Sequence, residues 1–487
     1  MSEEHDLEAA IAADPGLAAA ELRLAMYLVG GRDEDSRAFA AFRNAQKHRA
    51  ALGEIDSAIL DATEPRFRDP PDRVERAKRM KSVAEKYRTD PYVQSLFGFS
   101  ELTQQRRDDA LAAFDRALEF DPGYVPAIAG KIKLTLGFDH DTVRATELID
   151  SCLRSSATAV SCLWAKMHIA SEERRCADVK TVAKQVLAVD PNSEEALDDL
   201  ATVLFALGEP VDTVAEALRR ADSHAPSADN RHVEELGTRV TLDLISGDLH
   251  DADSVSGEIA TFADAHTTID PLAKYQHQIN LVLEEGDITR ARALVKALRA
   301  RIGASATAVR DLPIEGQLAY AELHSGITNR TELHAEQGRM VAWQKSEEER
   351  GDRRRDPFWT WIVVYAIGAT DEFDAADAVA ALPSFGGVDP LRMRDFGFTA
   401  PLGQVFALAG RYQEAIPVLE GVTQACDQLR IESIVGSWYY LGLAREKTGD
   451  IHGARAAYEK VLARWGSAKP RSVTADRARA RLALLPK

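Results

Sequence analysis

The sequence predicts an all-α chain built as a helical-repeat solenoid of antiparallel helix pairs. The first observation is the 34-residue stretch 91–124, PYVQSLFGFSELTQQRRDDALAAFDRALEFDPGY. In it Gly98 follows Phe97, Ala110, Phe114 and Ala117 recur at i, i+4, i+7, and Pro122 closes the unit. That spacing puts three residues on one helical face. Gly98 and Ala110 are expected to face each other across the pair, with Phe97 and Phe114 filling the space beside them. The second observation is that the same trio returns along the chain. The third is a tight-turn signature, a glycine followed five residues later by alanine, at Gly247/Ala252, Gly286/Ala291, Gly410/Ala415 and Gly449/Ala454.

Length and composition agree. A chain of 487 residues exceeds one compact core and holds at most about 14 units of this size. Its net charge of −17, from 77 acidic and 60 basic side chains, disfavours a nucleic-acid partner, since phosphate contacts need clustered Lys and Arg. Cys152, Cys162, Cys176 and Cys426 form no C-x-x-C pair and are expected to be thiols in a reducing compartment. The amino terminus MSEEHDLEAA is acidic and lacks a secretory pattern. The most apolar window, WIVVYAIGA at 361–369, is about half a membrane span. A soluble, cytoplasmic chain without membrane contact is expected.

In order, Leu7, Ala10 and Asp14-Pro15 read as a second helix without its first, either a cap or the remnant of a longer chain. Leu24, Ala25 and Leu28 then pair with Ala38, Phe42 and Ala45. Between 51 and 90 the pattern loosens, and Pro70-Pro71 forbids helix. We expect a short helix at 54–62, an extended link, and a helix at 72–88. Asp90 caps the next helix, and Pro91 in its first turn gives up an amide that has no partner there.

Further trios are Ala145/Ile149/Cys152, Val179/Ala183/Val186 closed by Asp190-Pro191, and Val214/Leu218/Ala221 closed by Pro226. Gly247 to Gly286 and Gly410 to Gly449 are each 39 residues, which predicts longer helices or loops there. In 301–356, residues 317–324 and 331–343 look helical, and KSEEERGDRRR at 345–355 reads as a solvated helix end and linker. Asp356-Pro357 restarts the pattern, Ala375, Val379 and Leu382 form a trio, and 383–390 is a loop. Two clear units follow, Leu402/Gly403/Phe406/Ala415/Leu419 and Trp438/Leu441/Gly442/Ala454/Tyr458. Pro417 sits early enough in its helix to be tolerated. A basic last helix, SVTADRARARLALL, is expected to cap the stack. The expected organisation is 1–90 degenerate pairs, 91–300 repeats, 301–356 irregular, 357–468 repeats and 469–487 cap.

Catalytic patterns are absent from the sequence: no phosphate loop, H-E-x-x-H, G-x-S-x-G or EF-hand loop. Cys162, His168 and Cys176 match no zinc spacing, and His324 and His334 read as surface or satisfied side chains. No cofactor, metal or catalytic residue is expected.

These residues resemble the tetratricopeptide (TPR) repeat family, in which aromatics, Leu, Gly, Ala and Pro recur every 34 residues. The likeness is strongest at 91–124, 396–429 and 435–468; the last departs at Arg445, where an aromatic is usual, and at Gly466, where Pro is usual. EAAIAADPGLAAAELRLA, LDATEPRFRDPP and YEKVLARWGSAKPRSVTADRARARL are also similar to TPR regions that accompany some bacterial serine/threonine protein kinases. The kinase is missing: Asp395-Phe396-Gly397 spells D-F-G without its companion motifs.

The resemblance implies a right-handed superhelix whose concave groove holds a protein or peptide. Its second, fifth and ninth first-helix positions map onto Tyr92, Ser95, Phe99, Lys133, Trp164, His168, Thr202, Thr241, Gln276, Asn280, Gln404 and Tyr439. The Gln276 and Asn280 amides are expected to meet a peptide backbone, and Arg299 to face outward. The implied function is a non-catalytic binding scaffold, in bacterial signalling; the alternative is a sensor whose superhelical pitch changes when it binds a peptide.

Overall fold

The structure, a computed structural model, describes residues 3–28, 34–68, 71–225, 227–266, 271–304, 312–349, 357–383, 396–427 and 429–486. Pro70, Pro226, Asp356, the 350–355 end of the charged run, residues 384–390 of the expected loop and Asp395 lie outside them. Among the described residues the secondary structure is helical with no strand, and consecutive helices pair. The chain divides into two units, Met1–Ala196 and Leu197–Lys487, so the divide falls within the run of repeats expected at 91–300.

In unit 1, α1 (Glu3–Ala13) packs on α2 (Ala18–Leu28), which pairs with α3 (Glu34–Lys47). Next come α4 (Glu54–Thr63) with α5 (Arg73–Lys86), then α6 (Pro91–Thr103) with α7 (Arg107–Phe120). The unit continues with α8 (Val125–Leu134) and α9 (Thr142–Ser155), then α10 (Val160–Glu172) and α11 (Cys176–Val189). The link after α4 is not wholly extended: Glu64–Phe67 form a 3-10 turn, because Phe67 stacks on Phe42 with ring centroids 4.1 Å apart. Asp90 caps α6 as expected, its carboxylate accepting from Val93 N at 3.0 Å.

The small residues do the work expected of them with a different partner. Ala110 is buried, but a side chain at Gly98 would strike Phe114 first, its Cβ 2.5 Å from the ring. A Cβ at Gly130 in α8 would lie 2.3 Å from the same ring. Phe114 is therefore held between two glycines from successive first helices, which lets three helices close on one aromatic.

The divide falls in the first turn of α12 (Glu194–Ala206), which leads in unit 2 to α13 (Val211–Asp222). The pairs α14 (Ala228–Ser246)/α15 (Leu249–Ala265), α16 (Pro271–Glu285)/α17 (Ile288–Ala304) and α18 (Leu312–His324)/α19 (Arg330–Glu349) follow. After them come α20 (Pro357–Trp361) with a π-turn at Ile362–Ala366, then α21 (Glu372–Ala380). The unit ends with α22 (Phe396–Leu408)/α23 (Tyr412–Thr423), α24 (Ile431–Thr448)/α25 (Ile451–Trp465) and α26 (Val473–Leu484). The 39-residue intervals have longer helices: α15 has 17 residues and α24 has 18, against 13 in α6. Pro417 lies inside α23 without ending it.

The turn rule is broader than glycine. Gly247, Gly286, Gly410 and Gly449 have φ between +78° and +88°, as the αL position after a helix requires. Gln105, His140 and Arg174 adopt φ of 61°, 51° and 57°, five residues before Ala110, Ala145 and Val179. Geometry at that step is common to all seven turns, whatever residue stands there.

One expectation is overturned. Cys152 and Cys162 are joined in a disulfide between α9 and α10, with Cα atoms 6.4 Å apart and both side chains fully buried. Cys152 is a core residue of its trio, and the next helix brings the second sulfur onto it. The thiol-based argument for a reducing compartment falls with this bond.

Candidate functional site

Unit 1 places five of the groove residues on three successive first helices. Tyr92 and Phe99 project from α6, Lys133 from α8, and Trp164 and His168 from α10. Lys133 is exposed and the other four are partly buried. The Arg23 guanidinium lies over the Tyr92 ring at 5.2 Å from its centroid. The Lys133 ammonium lies 5.9 Å from the Phe99 centroid, and Phe99 meets Phe114 edge-on at 5.1 Å. Two groove positions from consecutive repeats are thus neighbours, and a cation over an aromatic face is weakly attracted, by about 0.5–1 kcal/mol at an exposed site. His168 Nε2 lies 3.2 Å from Glu172 one turn later. Ser95 does not join the face: it is buried and its hydroxyl donates to Tyr92 O at 2.9 Å.

Unit 2 treats its groove positions differently. Thr241 donates to Gly237 O in its own helix at 3.0 Å, and Gln404 Nε2 donates to Ala369 O. Tyr439 packs edge-on against Tyr440 at 5.1 Å. Gln276 is only 4% exposed, which contradicts its assignment as a groove amide. Its Nε2 donates to Asn280 Oδ1 at 3.1 Å, and the exposed Asn280 passes the chain on, Nδ2 to Gln317 Oε1 of α18 at 3.3 Å. The free amides expected of α16 are a ladder linking α16 to α18, because the next first helix supplies a third amide. Arg299 is likewise no idle surface residue: it grips Glu322 through two 2.8 Å bonds.

Sequence reasoning missed a charged cluster at the start of α21. His324 Nε2 lies 2.9 Å from Asp374, and His334 Nε2 lies 2.7 Å from Asp377. Both histidines are satisfied, as expected, but by one helix more than forty residues away. Burial would raise the fully buried Asp374 carboxyl, yet the His324 contact, the Thr370 N–H and Arg330 hold it below the usual carboxylate range. Ligand atoms of His324, Asp371 and Asp374 lie within 4.8 Å of one another. Arg330, with Nη1 3.0 Å from Asp374 and Nη2 3.6 Å from Asp371, already balances the carboxylates a cation would need.

A second concavity is an open cleft of about 720 Å³ along α15, lined by Ser254, Gly257, Phe262, His232, Gln278 and Arg290. Two of its polar groups are already paired, since the buried Asp253 accepts from Gln278 at 3.2 Å and also from Arg290. No helix among the described residues is long and apolar enough to cross a membrane.

No family model matches the chain, and no curated protein matches it. Among solved structures it is similar to a tetratricopeptide repeat protein from Parabacteroides merdae (12% identity, TM-score 0.32, covering 64% of this chain and 97% of that one). It is also similar to the APC/C hetero-tetramer Cut9-Hcn1 (13%, TM-score 0.38, 85% and 88%) and to the human IFIT1 dimer with PPP-AAAA (14%, TM-score 0.37, 91% and 90%). The fold class rests on the helix pairs described above.

Proposed function

We propose that the chain is a non-catalytic scaffold that holds a protein or peptide partner along the first-helix face of unit 1. The observation that carries this reading is the row Tyr92, Phe99, Lys133, Trp164 and His168, large side chains on three successive first helices and none of them fully buried. A repeat packs only on its neighbours, so first-helix side chains that stay accessible are available to a ligand. An extended segment with apolar side chains for Phe99 and Trp164 and a carboxylate for Lys133 fits their chemistry. The net charge of −17 speaks against a nucleic acid.

The pathway we assign, bacterial signalling, rests on the sequence likeness to kinase-associated repeat regions. The Cys152–Cys162 bond favours a compartment in which disulfides persist over the expected cytoplasm. The sensor alternative needs a repeat stack free to change pitch. In unit 2 the last repeat is tied back to α14 and α16, which favours the scaffold. The test is to select binders from a phage-displayed peptide library and measure their affinity by calorimetry for wild type, Trp164→Ala and the exposed control Val143→Ala. Trp164→Ala is expected to weaken binding about tenfold or more, as interface aromatics do, with the control unchanged. Equal affinities for all three contradict the proposal.

A further inference from the structure

The cleft along α15 holds polar groups that the packing of unit 2 leaves unspent. Asp253, 1% exposed, accepts from Gln278 Nε2 at 3.2 Å with one oxygen and from Arg290 Nη1 with the other. The two oxygens of one carboxylate therefore set the Gln278 amide of α16 and the Arg290 guanidinium of α17 side by side. Gly257 makes room for them. It stands one turn after Asp253, and a Cβ there would lie 2.9 Å from Gln278 Nε2. Glycine weakens a helix interior, and here the close approach of the amide requires it.

Gln278 is only 6% exposed, and it lines the cleft. Its nitrogen must face the Asp253 carboxylate, which only accepts, so its oxygen is turned away from that carboxylate. Among the described residues nothing donates to the oxygen, which leaves it for whatever fills the cleft. Arg290 spends only Nη1 on Asp253, and its Nε and Nη2 edge has no acceptor among the described residues. The exposed Glu258, also in the lining, has no ion pair or hydrogen bond among them. It lies one turn after Ser254 and one turn before Phe262, so these three share a face of α15. The Phe262 ring, met edge-on by His232 of α14 at 4.6 Å, supplies an aromatic wall.

An α-amino acid presents the complement of this set. Its carboxylate fits the open edge of a guanidinium, which takes such a group through two N–H bonds. Its ammonium fits the Glu258 carboxylate and the Gln278 oxygen, and an apolar side chain fits Phe262. A purely anionic ligand would meet Glu258, and a purely cationic one Arg290, whereas a zwitterion satisfies both. The volume of about 720 Å³ falls in the range of small-molecule sites, about 300–1,000 Å³. We propose that the α15 cleft is a binding site for a free α-amino acid with an apolar side chain, held by Arg290, Glu258 and Gln278.

The test is equilibrium dialysis of the full chain against radiolabelled L-leucine, L-methionine and L-phenylalanine. Saturable binding of at least one, with Kd tighter than about 1 mM, is expected. The N-acetyl and carboxamide forms of that amino acid should each compete at least tenfold more weakly, since each lacks one of the two charges. Glu258→Gln should weaken binding at least tenfold with the melting midpoint unchanged, because this side chain has no partner to lose. Ser254→Trp, a bulky change on the same face of α15, should block the cleft. No saturable binding of any of the three overturns the site. Equal competition by both blocked forms overturns the amino-acid assignment, and full affinity in both variants overturns the cleft as the place where the ligand sits.

Discussion

Replacing Gly130 by alanine tests the packing that sets the repeat. In an unconstrained helix interior the change stabilises by about 1 kcal/mol. Here the new Cβ would stand 2.3 Å from Phe114 Cζ and 2.4 Å from Cε1, so the ring must move by more than 1 Å to reach ordinary contact. It has nowhere to go: Phe114 is fully buried, and on its other side the Gly98 position leaves no room for a Cβ either. Overpacking of this kind costs about 1–3 kcal/mol, leaving a net loss of up to about 2 kcal/mol. For a unit of this size that lowers the melting midpoint by about 2–4 °C per kcal/mol. The assay is thermal and urea unfolding of Gly130→Ala, Phe114→Leu and the double variant. Because the two residues touch, the double variant should be less destabilised than the sum of the singles, by about 1 kcal/mol. A Gly130→Ala protein more stable than wild type, or strictly additive losses, would refute the three-helix closure on Phe114.

Four further outcomes follow from the same geometry. Burial pushes the Asp222 carboxyl up to about 6 while its Oδ1 accepts from Thr238 at 3.1 Å. The folded state then holds a proton that the unfolded chain has released between about pH 4 and 6. Stability from this group is therefore present at low pH and lost as pH rises through 6; Asp222→Asn should flatten the change in urea midpoint between pH 5 and 7, and an unchanged slope would contradict the burial. Reducing the Cys152–Cys162 bond, which closes a loop of sequence separation 10, should cost unit 1 about 2–3 kcal/mol, read as a lower melting midpoint with reductant. Asn280→Ala should cost about 1–3 kcal/mol because the buried Gln276 amide loses its acceptor. Arg299→Ala should also destabilise, leaving Glu322 without its guanidinium; a neutral result for either would contradict the contacts described.

What the sequence made legible is what the fold demands locally. Asp90, Pro91 and the Ala110/Phe114/Ala117 trio are readable because capping and helical period act within a few residues. Gln105, His140 and Arg174 were invisible as turn residues, since the αL step is imposed there on side chains that do not advertise it. Burial at Ser95 and Gln276 depends on which neighbour the next helix supplies, so a positional rule placed them wrongly. Nothing in the periodicity shows that the Cys152 and Cys162 sulfurs meet, that His324 and His334 converge on α21, or that Trp465 returns to Leu244. Such pairings are fixed by the stacking of helices, which no local pattern encodes.

A partner held on the first-helix face of unit 1 leaves a footprint there, read for a selected peptide on the full chain by amide exchange with and without ligand. Added protection is expected in α6, α8 and α10, around Phe99, Lys133 and Trp164. Protection confined to unit 2, along the α15 cleft or the α16 amide ladder, with α6, α8 and α10 unchanged, would contradict it.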